Sequence, residues 1–92
     1  MSVLARFAPR SATLAQYDET MSKLSQGGDF PPDGLEYHVC FTSSDGGVRV
    51  SEIWDSSEQM QAFGPRLMPV LAEMGIDPGV PEVLEIHNIV RR

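Results

Sequence analysis

Two runs of alternating apolar and polar residues, Leu35 to Thr42 and Val48 to Asp55, flank the segment Ser43-Ser44-Asp45-Gly46-Gly47. Asp-Gly between β-branched and aromatic runs is a strong hairpin signal, because few residue pairs accept the backbone angles of a tight turn. The hairpin fixes the middle of the fold. With Asp45-Gly46 as a two-residue type I′ turn, Phe41 faces Val50, Val39 faces Glu52 and Tyr37 faces Trp54. His38, Cys40 and Thr42 then share the opposite face with Arg49, Ser51 and Ile53. A longer loop slips the register by one and sets His38 opposite Glu52, since successive side chains alternate between faces. The two-residue turn is the preferred reading.

Helical patterns stand on either side. Thr13 precedes Gln16 by a capping-box interval, Leu14, Tyr17, Met21 and Leu24 recur at helical spacing, and Gly27 supplies the stop. This predicts a helix over Leu14 to Gln26. Ser56 and Gln59 repeat the capping signal for a second helix with Met60 and Phe63 on its buried face. Gly64-Pro65 should interrupt it, because proline lacks a donor and clashes one turn back, and Pro65 can open a further piece reaching Gly75. Ser2 to Ala8 reads as a first strand and Val83 to Val90 as a last one. The run Gly27 to Gly34 is rich in Gly and Pro and reads as a surface connector with Phe30 tucked onto the core.

The order strand, helix, strand, strand, helix, strand folds most readily as one α+β ferredoxin-like domain over residues 1–92. Its four-stranded antiparallel sheet should run four, one, three, two, with both helices on one face. Strands one and four carry apolar residues on both sides, so the helix-free face should be buried as well. A chain of 92 residues buries a modest core, and its only cysteine, Cys40, cannot form an internal disulfide. A second copy packed sheet to sheet, giving a homodimeric α/β barrel, answers both needs.

The net charge of −6 opposes a nucleic-acid partner, since phosphate binding rests on Lys and Arg. The terminal Arg91-Arg92 pair reads as a frayed tail. No apolar run is long enough to span a membrane, no signal-peptide core is present, and one unpaired cysteine suits a reducing compartment, so a cytoplasmic location is expected.

The opening strand Val3-Leu4-Ala5-Arg6-Phe7 and the run Glu52-Ile53-Trp54-Asp55-Ser56-Ser57-Glu58, with Phe63 following, resemble the dimeric α/β-barrel superfamily that includes small antibiotic-biosynthesis-monooxygenase-like proteins. The resemblance covers essentially the whole chain and implies a two-fold dimer. Among its members are cofactor-independent oxygenases acting on polycyclic phenols, isomerases and degradative enzymes. Trp54 matches the tryptophan that lines the substrate cavity in some of these oxygenases.

Phosphate loops, Cys-x-x-Cys and His-Glu-x-x-His are all absent, and no cofactor or metal is expected. Among the polar residues on strands, His38 is the candidate general base, because imidazole titrates near neutral pH. Glu52 is the candidate orienter of that imidazole, with a structural pair to Arg6 or Arg49 as the alternative. Tyr37, Trp54, Phe63 and His87 are candidate ligand-binding residues, Tyr37 and Trp54 as flat aromatic walls. A His38–His87 metal pair is disfavoured, since strands two and four lie at opposite edges. Tyr17 and Met21 read as ordinary helix-to-sheet core, and Cys40 as an inert thiol. Three functions follow: a homodimeric binder of a small aromatic molecule in an apolar cavity, a cofactor-free monooxygenase or isomerase acting on an aromatic or enolisable substrate, or a structural dimerisation module. A cavity of about 300 Å³ or more separates the first two from the third.

Overall fold

The helix boundaries follow their caps. In the computed structural model, which describes residues 1–92, helix α1 spans Leu14–Gln26. Gln16 N–H donates to Thr13 Oγ1 at 3.1 Å and Thr13 N–H donates to the Gln16 side chain at 2.9 Å, completing the capping box. Gly27 ends the helix, its N–H bonded to the Lys23 carbonyl at 3.0 Å.

Helix α2 runs unbroken from Ser57 to Glu73, with Pro65 and Pro69 inside it. The expected interruption at Gly64-Pro65 is therefore corrected. The two prolines are one helical turn apart and exposed, as is Gln61, one turn before Pro65, so the carbonyls they leave unbonded stand on the water side. On the opposite stripe Phe63 is buried and Met60, Leu67 and Val70 pack against the core, which holds the helix together past both breaks. Ser56 caps the start by accepting the Gln59 N–H at 3.2 Å.

Strands β1 (Val3–Phe7), β2 (Leu35–Thr42), β3 (Val48–Trp54) and β4 (Glu82–Glu85) form one sheet in the order β2-β3-β1-β4. The pairings are antiparallel throughout, and the domain has the expected ferredoxin-like arrangement. Strand β4 is shorter than the predicted Val83 to Val90. Its partner runs out: Glu85 pairs with Val3, the first residue of β1, and Ile86 makes one last bond to the Ser2 carbonyl.

The hairpin takes the longer loop, so the preferred register is corrected by one residue. Cys40 pairs with Val50, and His38 with Glu52. Gly46 N–H bonds the Ser43 carbonyl and Ser43 N–H bonds the Gly47 carbonyl, each at 2.9 Å. Only Gly46 in this loop has a positive φ, at 86°, whereas a type I′ turn needs two such residues. The loop is thus a type I turn closed by a left-handed glycine. Asp45 locks it by accepting the Ser43 hydroxyl and the Gly47 N–H and by pairing with Arg49. These contacts, the Ser43 bond foremost, hold its carboxyl below the usual value.

This register decides what each face carries. Val3, Ala5, Trp54, Leu24 and Phe63 form the buried core between sheet and helices. The helix-free face presents Tyr37, Val39, Phe41 and Leu84, each 40–51% exposed. Its apolar character comes from Leu4 of β1 and Leu84 of β4, as expected, and also from β2. Arg91 crosses to β2, pairs with Glu36 and lies 5.9 Å from the Tyr37 ring centre, so the tail is tied at this residue rather than frayed. No helix is long and apolar enough to cross a membrane.

Candidate functional site

A cavity of about 360 Å³ lies between the sheet and the helices. Its apolar wall includes Met21 and Leu24 from α1, Met60, Phe63 and Leu67 from α2, and Trp54 from β3. Phe30, from the Gly- and Pro-rich connector, closes one side and meets the His38 ring edge-on at 5.3 Å between centres. The connector therefore packs onto the core as expected, and its aromatic ring also becomes part of the cavity wall.

Beside Thr20 and Gln61, one connected set of polar groups interrupts this apolar lining. Trp54 Nε1–H donates to Glu52 Oε1 at 3.0 Å. His38 Nδ1 lies 2.6 Å from Glu52 Oε2, and the Tyr17 hydroxyl lies 2.7 Å from His38 Nε2. With a neutral imidazole, chemistry gives these bonds a direction. Indole N–H can only donate and a carboxylate can only accept, so Nδ1 carries the hydrogen that points at Glu52. The neutral imidazole then has a bare Nε2, which accepts the Tyr17 hydroxyl. Burial, with smaller contributions from Cys40, Glu52 and Asp18, pushes the Tyr17 hydroxyl up to about 12, so it keeps its hydrogen at ordinary pH. The chain reads Tyr17 → His38 → Glu52 ← Trp54.

The placement of this chain follows from the hairpin. Setting His38 opposite Glu52 brings both beneath the helices, and Trp54 follows two residues along β3 on the same face. Tyr17 descends from the first turn of α1 and stacks against the imidazole, with ring centres 5.8 Å apart. Glu52 is 8% exposed and Trp54 1% exposed, so a carboxylate sits inside the domain with both oxygens occupied. No buried side-chain nitrogen or oxygen lacks a partner.

Of the residues singled out from sequence, His38, Glu52, Trp54 and Phe63 meet at this cavity. Glu52 pairs with His38 rather than with Arg6 or Arg49, which pair with Glu82 and Asp45. Tyr37 does not reach the cavity. The one-residue shift places it on the helix-free face, 44% exposed. His87 lies beyond the end of β4, exposed and outside the cavity lining. His38 is on β2 and His87 follows β4, so the two histidines belong to opposite sheet edges. No group of three or more His, Cys, Asp and Glu side chains is placed to hold a metal. Cys40 shares the helix-side face, and burial raises its thiol pKa, which favours the unreactive protonated form.

Sequence reading missed Tyr17. Its helical spacing with Met21 and Leu24 marks an inward face, but that spacing is the same for a core residue and for a cavity wall. The signal lay in combination: only the alternative register puts an acceptor nitrogen beneath the tyrosine.

No family model matches the chain, and no curated protein matches its sequence. Solved structures match over nearly its full length. SnoaB, a cofactor-independent oxygenase from Streptomyces nogalater, superposes with a TM-score of 0.65 at 10% identity, covering 99% of this chain and 96% of that one. A candidate antibiotic biosynthesis monooxygenase from Deinococcus radiodurans gives 0.62 at 12% identity, covering 100% and 98%. Rv0793 from Mycobacterium tuberculosis gives 0.57 at 21% identity, covering 98% and 95%. The fold is that of the antibiotic-biosynthesis-monooxygenase-like structures, as the resemblance implied.

Proposed function

We propose that this chain binds a small, flat, mostly apolar organic molecule in the cavity between sheet and helices, and that it does so as a two-fold homodimer. The observation that carries the binding reading is a space of about 360 Å³ with a mostly apolar wall and a cluster of linked polar groups. Ligand sites combine those features: apolar area for affinity and a few placed polar groups for orientation. A cavity of this size also speaks against a purely structural module, whose helix–sheet interface would be filled. The dimer rests on the apolar helix-free face, where Val39 and Phe41 remain 51% and 42% exposed even with Arg91 lying across the β2 edge.

The ordered Tyr17–His38–Glu52 chain favours a second reading, catalysis without a cofactor. In it the His38–Glu52 unit takes a proton from an aromatic or enolisable substrate, while Trp54 positions the ring. That SnoaB is a cofactor-independent oxygenase on the same fold supports this reading at the level of architecture only.

Trp54 is the only tryptophan and lines the cavity, so its emission reports occupancy directly. Titration with naphthols and anthrone should give a saturable change, and Leu67→Phe should weaken it by filling part of the space. Failure of every compound in the panel to perturb Trp54 rejects the binding reading. Oxygen uptake with the same panel, measured against His38→Ala and Trp54→Phe, separates the enzyme from the binder.

A further inference from the structure

Both nitrogens of the cavity-lining His38 ring have partners within the protein, and Tyr17 is one of them. Its hydroxyl occupies His38 Nε2 at 2.7 Å, while Nδ1 is committed to Glu52 at 2.6 Å. A molecule in the cavity therefore finds no free nitrogen on His38. Tyr17 also lines the cavity, and its oxygen still has acceptor capacity after donating its hydrogen. Resting on the cavity reading above, we infer that Tyr17 is the group that meets the ligand, that it selects molecules bearing an acidic hydroxyl, a phenol or an enol, and that it passes their proton to His38.

The step balances without any further reactant. The ligand O–H bond breaks as a hydrogen joins Tyr17 Oη, and the original Tyr17 O–H bond breaks as its hydrogen joins His38 Nε2. The electron pair of the broken ligand bond stays on the ligand oxygen. Tyr17 is neutral before and after. The products are a ligand oxyanion and a His38 imidazolium, and the imidazolium keeps its Nδ1–H bond to the Glu52 carboxylate. Burial suits Tyr17 to this part: it disfavours an accumulating tyrosinate, so the residue conducts a proton rather than losing one. The Trp54 N–H on the second oxygen of Glu52 holds the carboxylate in place throughout. A ligand of the same shape without the hydroxyl gains only the apolar wall. Because every buried polar atom already has a partner, such a ligand is tolerated but not preferred.

The experiment uses 4-nitrophenol and its methyl ether, 4-nitroanisole, at a pH where the free phenol is mostly protonated. Binding is followed through Trp54 emission, and the state of the bound phenol through its own absorbance. The wild type should bind the phenol about tenfold more tightly than the ether, the worth of one hydrogen bond into a buried site. The bound phenol should show the phenolate band. Tyr17→Phe should lose both the preference and the band while binding the ether as before. His38→Gln should lose the band alone. Retention of the phenolate band in His38→Gln would mean that the proton does not go to the imidazole, which overturns the inference. Equal binding of both probes by the wild type, a comparison needing no variant, overturns it too while sparing the cavity reading. Binding of neither probe removes the cavity reading and this inference together.

Discussion

Replacing Glu52 by Gln and, separately, by Leu should produce two different losses, because the carboxylate holds two donors at once. Glutamine can keep both contacts. Its carbonyl accepts the Trp54 N–H that now reaches Oε1 at 3.0 Å, and its NH₂ faces His38 Nδ1 in place of the oxygen now 2.6 Å away. The imidazole then adopts its other tautomer and donates from Nε2 to Tyr17. What is lost is charge assistance, about 1–2 kcal/mol over two bonds. Leucine leaves the Trp54 N–H and one imidazole donor without partners inside a domain where Glu52 is 8% exposed. Two unsatisfied donors cost roughly 3–5 kcal/mol, less whatever is recovered by no longer burying a charge. The gap between the variants is then about 2 kcal/mol, or roughly 10 °C in Tm for a domain of this size. Thermal melts by circular dichroism at one fixed protein concentration measure it. Equal melting temperatures for Glu52→Gln and Glu52→Leu would show that the carboxylate does not hold the two donors as described. Glu52→Gln carries a second consequence: with Nε2 protonated by the tautomer change, the imidazole can no longer accept the Tyr17 hydroxyl, so proton uptake should fail in a variant that still folds.

On the helix-free face, Phe41→Asp should convert a dimer to a monomer with unchanged helix content, seen by light scattering. A wild type that is monomeric at micromolar concentration defeats the sheet-to-sheet pairing. At high pH, the raised Tyr17 value lowers stability with a defined sign. The unfolded tyrosine ionises near its ordinary 10.0 and the folded one near 12, so the stabilisation is complete below the first value and disappears as pH climbs through the second. Urea titrations at successive alkaline pH values should show this decline, and Tyr17→Phe should flatten it. A slope that persists in Tyr17→Phe would assign the effect elsewhere.

The helices were the legible part. Thr13 with Gln16, and Ser56 before Gln59, are local signals, and local signals survive without knowledge of the tertiary structure. Strand order was legible because few connections satisfy it. The hairpin register was not, since Ser-Ser-Asp-Gly-Gly suits both a two-residue turn and a type I turn ending on a left-handed glycine; the side-chain bonds of Asp45 favour the second. That slip moved Tyr37 out of the site and His38 into it. Helix α2 defied its prolines because Pro65 and Pro69 both fall on the water side, a fact of packing rather than of propensity. Strand β4 ended early because β1 offered no further residues to pair with. His87, beyond that end, was therefore carried away from the cavity.

Surface loops commonly tolerate insertions and deletions, but the turn at Gly46 should be an exception in a particular way. Parity governs it. If the helices keep their hold on Val48, Val50 and Trp54, one residue more or fewer in the loop would turn β2 over, sending the imidazole outside and bringing the greasy outer residues of that strand inward. Two added residues would restore the original sidedness. Length variants of this turn should accordingly alternate between intact and dismantled sites, a pattern no ordinary exposed loop would show.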